Sequence, residues 1–345
     1  MAITRRWQAG CESNLSGSFT ATSEFDSVAG TATTTGICKT GALAFRFWIS
    51  DNAIVTLSPT RQIRIGCHWN LQAQTGATGT LIFWRAAGVD LGSVRMVPGD
   101  ANTNLGIYDA AGNQQDVALN TYIAGTYFHL GIDINVDNAA GWVKVYVDGN
   151  EILSWTGNTG NANIDSVMFG GAATGSGWRI SNDSYLDDAY IDDTTGEVAA
   201  AVPDLRFAYI VPDGVGNYSQ CAPVGSANHW ENVDERPHDS DTSYNEANAL
   251  NERDTYTMTT IALPAGWTIA AVIPCLYCKK TDAGTDTEVT PTLRESATDD
   301  DGTSVDATSS YALKWERFTT KPSGGAWTQA ALDGLEVGFV GTGTF

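Results

Sequence analysis

Short runs that alternate or stay apolar, each closed by glycine, asparagine or aspartate, constrain this chain more than any other feature. They cover residues 43–49, 62–69, 80–84, 105–109, 127–134, 141–147, 151–155, 164–169 and 184–192. Period-two alternation at this length specifies strands that bury one face, and no stretch holds the 3.6-residue period of a long helix. Asp148-Gly149-Asn150 lies between two such runs and supplies the residues a tight hairpin turn demands. Strands of this kind can hide their apolar faces only by stacking sheets. The expected fold class is therefore all-β, with two antiparallel β-sandwiches.

A composition change near residues 198–204 (Val-Ala-Ala-Ala-Val-Pro-Asp) follows the acidic turn at 192–197 and marks a boundary. The expected domains are residues 1–204 and a smaller sandwich over residues 205–345, which opens with an apolar run at 205–211. Strands are expected at 255–263, 268–279, 288–295, 310–319 and 336–340. A short helix near 327–335 would be capped by Gly334. Between them runs a long polar stretch, residues 225–253. Long stretches without regular structure inside a compact domain are usually functional. Trp230, Asp234, Arg236, Asp239 and Tyr244 within it are the candidate assembly interface.

Charge narrows the partners. Asp and Glu total 40 against 19 Lys and Arg, a net charge of −21. The acidity is shared by both halves. Such a surface repels nucleic-acid phosphates and anionic lipid, so neither is an expected partner. The Arg5-Arg6 pair precedes no apolar h-region, and no apolar run is long enough to span a membrane. On that basis Cys11, Cys38, Cys67, Cys221, Cys275 and Cys278 are expected to be free and mostly buried thiols.

Groups that carry chemistry are sparse. Cys275 and Cys278 are three apart on an expected strand, point to opposite faces, lack a second ligand pair, and are assigned to the core. His68 and His129 lie in strands with no metal-binding spacing, whereas His229 and His238 flank the polar stretch. No phosphate loop and no G-x-S-x-G elbow exists. The residues 170–177 form a glycine-rich loop between strands. Asp187-Asp188 and Asp192-Asp193 are adjacent pairs whose members should face opposite sides of a strand. Asp299-Asp300-Asp301 reads as a solvated acidic turn. No catalytic, cofactor or metal site is assigned. Trp48, Trp69, Trp84, Trp142, Trp155 and Trp178 are core candidates, and any left exposed could stack on sugar rings.

Two stretches carry a resemblance. Residues 128–134 and 141–150, with the V-x-V-Y-V-D-G-N hairpin, and the D-D-A-Y-I-D-D strand at 187–193 resemble concanavalin A-like (laminin-G-like) jelly-roll domains. Residues 228–237 (Asn-His-Trp-Glu-Asn-Val-Asp-Glu-Arg-Pro), 239–244, 271–272, 279–281 and 321–328 resemble a module of tailed-bacteriophage virion proteins. The resemblance implies a non-enzymatic structural protein exposed on a phage particle, either a capsid decoration or a tail or fibre component. It would be assembled in the host cytoplasm, with other virion proteins and its own copies as partners and host-surface glycan as a further contact. The alternative is a carbohydrate-binding adhesin or receptor-binding protein. A polysaccharide-degrading enzyme ranks third, because the acidic triplet of the glucanase pattern is missing.

Overall fold

The structure is a computed structural model. It describes residues 4–9, 25–29, 33–35, 38–39, 44–47, 51–71, 79–97, 104–171, 184–197, 201–235, 238–281 and 287–344. The chain divides into two compact units, Met1–Ala208 and Tyr209–Phe345. Among the described residues it is all-β apart from a 3-10 turn at His229–Asn232 and one short α-helix, Gln329–Asp333. No helix among the described residues is long and apolar enough to cross a membrane.

The first unit packs two antiparallel sheets. One runs, edge to edge, Asn150–Gly157, Gly141–Val147, Tyr127–Asn135, Gln62–Leu71, Ser184–Asp193, Ala44–Phe47 and Thr33–Thr35, with Thr4–Ala9 also paired to Ser184–Asp193. The other runs Gln114–Ala118, Asn104–Asp109, Val89–Val97, Gly79–Ala86, Ile164–Gly170, Asn52–Thr60 and Ser27–Ala29. The expected alternation decides what lies between them. Ile63, Ile65, Cys67, Trp69 and Leu71 point inward from one strand, and Phe128, Leu130, Ile132 and Ile134 from its neighbour. Val94, Met96, Leu105, Ile107, Val167 and Phe169 meet them from the second sheet. The expected hairpin is present: Asp148 (φ 49°) and Gly149 (φ 80°) both adopt the left-handed conformation that a tight two-residue turn requires.

The outer face of the first sheet is buried as well. All ten positions of Gln62–Leu71 are buried, including Gln62, Arg64, His68 and Asn70. Cross-strand register sorts these outward residues into rows. Asp192, Arg64, Asp133 and Lys144 form one row of alternating charge, with Arg64 Nη2 donating to Asp133 at 3.1 Å. In the next row Gly66 and Gly131 are direct partners, and a Cβ on either would overlap the Tyr190 ring or Val202. Val202 belongs to residues 201–208, which lie on this face with Leu205 and Phe207 packed against Tyr146, Tyr190 and Val202. These two apolar residues, read from sequence as the opening of the second domain, thus pack in the first unit.

Asp187 and Asp188 depart from the expected opposite-face placement. A bulge between Asp187 and Tyr190 puts Asp188 at φ 49°, where its carboxylate lies 3.5 Å from His68, the cross-strand partner of Asp187. One extra residue resets the alternation, and local pattern does not reveal it.

The second unit has one main antiparallel sheet, in the order Pro212–Ser219, Arg253–Met258, Leu335–Gly343, Thr287–Glu295 and Thr298–Asp301, with Val305–Asp306 also paired to Thr287–Glu295. Two ribbons complete it, Ala222–Val224 with Tyr244–Glu246 and Cys275–Cys278 with Ala312–Trp315. The acidic run 299–301 is a strand, not a turn. The chain reverses one step earlier, at Ser296 (φ 57°), and Asp299 and Asp301 then pair with Arg294 and Arg253 at 2.5 and 2.7 Å. Pro291 explains why this edge breaks in two: its carbonyl accepts from Gly302 N between the two short partner strands, but it has no N–H to donate back. The expected strand 268–279 shortens to Cys275–Cys278, where Cys275 is exposed instead of in the core. Thr328 caps the short helix, its hydroxyl accepting from Ala331 N, and Gly334 ends it. Cys38, Cys67, Cys221, Cys275 and Cys278 are free thiols.

Candidate contact site on the second unit

One buried carboxylate, Asp254, ties the early part of the polar stretch, at His229, to the neighbouring backbone. Asp254 Oδ1 accepts from Gln220 N at 2.7 Å and Cys221 N at 3.0 Å, while Oδ2 lies 2.6 Å from His229 Nδ1 and accepts from the Tyr256 hydroxyl at 3.2 Å. Asn245 Nδ2 donates to the His229 carbonyl at 2.7 Å and lies 2.8 Å from the Tyr256 hydroxyl. Burial, and then the charge of Asp254, push the Tyr256 phenol well above its ordinary range. The same two causes raise the Cys221 thiol, which removes it as a nucleophile. Both carboxylate oxygens of Asp254 are thus satisfied, as buried polar groups must be if they are not to destabilise the fold.

On the ribbon Cys275–Cys278 with Ala312–Trp315, the segment that follows the anchor meets an aromatic stack. The rings of Tyr277 and Tyr311 are parallel within 3°, their centroids 4.9 Å apart, and His238 stacks on Tyr277 at 3.4 Å. Lys279 Nζ lies 4.7 Å from the Tyr311 centroid and 2.5 Å from Asp241 Oδ1, which also accepts from the Tyr311 hydroxyl at 3.0 Å. Burial and the hydrogen bond to Asp241 push the Tyr311 phenol up. Lys279 and Tyr311 hold the Asp241 carboxyl below its usual range. Burial keeps His238 below its ordinary value, with Asp239 opposing. His238 and Asp241 are exposed, and Tyr277, Tyr311 and Lys279 are half-buried. The result is an aromatic platform with an ionic rim, able to take a flat or ring-shaped partner group by stacking and polar contact.

The candidate interface residues divide around this platform. Asp239 and Tyr244 belong to the loop beside it. Asp239 Oδ2 lies 2.9 Å from Ser243 Oγ, and Tyr244 is near enough for its charge to add to the rise at Tyr311. Trp230 and Asp234 are half-buried at the 3-10 turn, on the side of the segment tied down by Asp254. Arg236 lies outside the described residues. The platform rings come from positions 238, 277 and 311, and only the long-range pairing of the ribbon assembles them. His238, Asp239, Asp241 and Tyr244 fall within the polar segment, whereas nothing near Tyr277 or Tyr311 in sequence marks them.

The first unit uses its tryptophans differently. Trp69 and Trp84 are fully buried, Trp155 packs against the core, and Trp142 is half-buried. Trp48 and Trp178, like most of the loop 170–177, lie outside the described residues. Among the described residues no group of three His, Cys, Asp or Glu side chains is placed to hold a metal ion.

No family model matches the chain, and no curated protein matches its sequence. Several solved structures are similar over about half of it. A cellulose-induced protein, Cip1, is 14% identical over 55% of this chain and 92% of its own, with a TM-score of 0.37. Domain 4 of AbnA, a GH43 extracellular arabinanase from Geobacillus stearothermophilus solved with arabinotriose, is 18% identical over 56% of this chain and 94% of that one, with a TM-score of 0.38. A Trypanosoma rangeli sialidase in complex with sialic acid is 11% identical over 58% of this chain and 31% of its own, also at 0.38. Similarity at this level assigns neither ligand nor chemistry.

Proposed function

We propose that this chain is a non-enzymatic contact protein, a structural component exposed on a bacteriophage particle as a capsid decoration or a tail or fibre part. Its first unit would be a concanavalin A-like jelly roll and its second an assembly module that joins virion proteins and further copies of the chain. The virion context rests on the sequence resemblance of residues 228–328. The contact role rests on one structural observation: the stack His238–Tyr277–Tyr311, with its Lys279–Asp241 rim, is anchored in place yet left partly open. Locating the protein on purified particles by electron microscopy tests the assignment. Density for the second unit against the shell or tube is expected, and absence of the protein from particles would overturn it.

The same platform favours a second reading, a carbohydrate-binding adhesin, because half-exposed tyrosines beside a fixed ion pair suit the apolar face and hydroxyl rim of a sugar ring. The two readings are compatible in one protein. Binding on a broad glycan array that disappears in Tyr277→Ala and Tyr311→Ala supports the adhesin. An array silent even to host polysaccharide removes it and leaves assembly as the role of the platform.

A further inference from the structure

We propose that residues 201–208 form an acid-released strap on the first unit, latched by the paired histidines His68 and His129. The geometry of the outer sheet face carries the inference. His68 and His129 are direct cross-strand partners with ring centroids 5.3 Å apart, and each side chain is only 1% exposed. The strap sits over Gly131 in the adjoining row, beside the Tyr190 ring that occupies the space over Gly66. Val202 fills the space over Gly131, and the Tyr190 hydroxyl donates to the Pro203 carbonyl at 2.5 Å. Phe207 N donates to Asp188 Oδ1 at 2.8 Å, and Asp204 Oδ1 lies 3.0 Å from His68 Nε2.

The two rings are not equivalent. His68 has carboxylates on both sides, Asp204 from the strap and Asp188 at 3.5 Å from the bulge. Among the described residues no ring nitrogen of either histidine makes a hydrogen bond of good geometry, but only His68 has carboxylates within 3.5 Å. The charged groups around the pair are Asp187 and Asp188 on the neighbouring strand, Asp204 and Arg206 on the strap, Asp148 in the hairpin turn, and Lys39, whose backbone N–H donates to Asp187. Burial lowers His68 too, but Asp204 beside its Nε2 opposes that, so a first proton goes to His68 before His129. A second, on His129, would sit 5.3 Å from the first with no acceptor for either N–H. Burial and the charge of His68 oppose it. Both rings can be charged together only when water reaches this face, and the strap is the removable cover. Lifting it costs the Asp204, Pro203 and Phe207 contacts but leaves the ladders between the strands intact.

Hydrogen exchange on the full chain between pH 7.5 and 4.5, corrected for intrinsic rates, tests the strap. The Phe207 amide should be protected at neutral pH and lose at least about tenfold of that protection by pH 4.5, while amides of Gln62–Leu71 and Tyr127–Asn135 stay protected. His129→Leu, which cannot be charged, should keep the strap protected throughout. Unchanged Phe207 protection in the wild type, loss of the sheet amides together with the strap, or the same acid release in His129→Leu would each overturn the proposal. If that variant does not fold, a ring-proton titration of the wild type decides. His129 should stay neutral until the strap amide opens, and its protonation under a protected strap would refute the latch.

Discussion

The two units solve the same problem of burying β-strands in different ways. In the first, both faces of the central strands are covered: Gln62–Leu71 is buried at every position and Ser184–Asp193 at all but the last. In the second, the central strand Leu335–Gly343 buries only four of its nine positions, and the apolar cluster is Leu293, Phe318, Trp327, Ala331 and Leu335. What the second unit lacks in apolar contact it replaces with polar fixtures, the Asp254 anchor and the Tyr218–Arg253–Arg294–Asp299 cluster, where both guanidiniums lie 5.1 Å from the Tyr218 ring. A densely packed block suits presentation. A thinly packed block with half-buried surface is one that gains by being covered, which is the reason for proposing the contact role there.

The largest effects should expose that asymmetry. Trp69→Ala empties a fully buried site between two sheets and should cost the first unit about 3–5 kcal/mol. Calorimetry of the full chain should show one transition falling sharply while the other, assigned to the second unit by hydrogen exchange, stays in place. Asp254→Ala should do the reverse. It strands two backbone N–H donors and His229, and should cost the second unit about 3 kcal/mol. Asp254→Asn, which keeps an acceptor, should recover part of that. Equal responses of both transitions to either substitution would mean that the units do not unfold separately.

How far this contrast was legible depends on the range of the interactions. Period-two alternation gave the strands of the first unit and its inward residues, because each strand's pattern is a local consequence of two-sided packing. The Asp148-Gly149 turn was legible for the same reason. Three things were not. The bulge at Asp188 shifts a register that looks uninterrupted in sequence. Residues 205 and 207 look like the start of a strand but pack against Tyr146, Tyr190 and Val202 on the outer face of the first sheet. The platform draws on positions 238, 277 and 311, which become neighbours only when a two-stranded ribbon forms. The polar segment 225–253 could be singled out by composition, but the carboxylate that holds its His229, Asp254, lies just beyond its end.

Acid should separate the units again, with a smaller effect. His129 is held neutral, its ordinary value of 6.5 lowered to about 4 by burial first and by His68 second. The unfolded chain therefore binds a proton from about pH 6.5 downward that the folded one refuses. The stability this group contributes is complete above pH 6.5 and is lost as pH falls toward 4, by roughly 3 kcal/mol at most. In the second unit, Asp299 is raised by burial but held down more strongly by Arg294, Tyr218 and Arg253, and Ser323 and Lys321 lower Glu295. Depressed carboxylates keep their contribution until pH falls below their ordinary range near 4. Melting curves from pH 7 to 4.5 should show the first unit's transition moving further than the second's, where exposed His238 adds only a small shift. The reverse order would remove His129 as the cause.

The weakest expected effect concerns the edge of the charged row on the first sheet. Lys144 Nζ lies 2.8 Å from Glu151 Oε2, with both side chains partly exposed to solvent. An exposed pair of this kind contributes about 0.2–1 kcal/mol, because water and salt screen it and both chains lose freedom in forming it. Lys144→Met should therefore shift the first transition by under about 1 kcal/mol, and less in high salt. Arg64→Met, two positions further in along the row, removes an ion-pair partner of fully buried Asp133 and should cost several-fold more, about 3 kcal/mol. The ratio between these two substitutions measures how much of the outer face is truly interior. If they cost the same, the covering of this face by residues 201–208 does not exclude water, and the contrast between a two-sided and a one-sided block loses its basis.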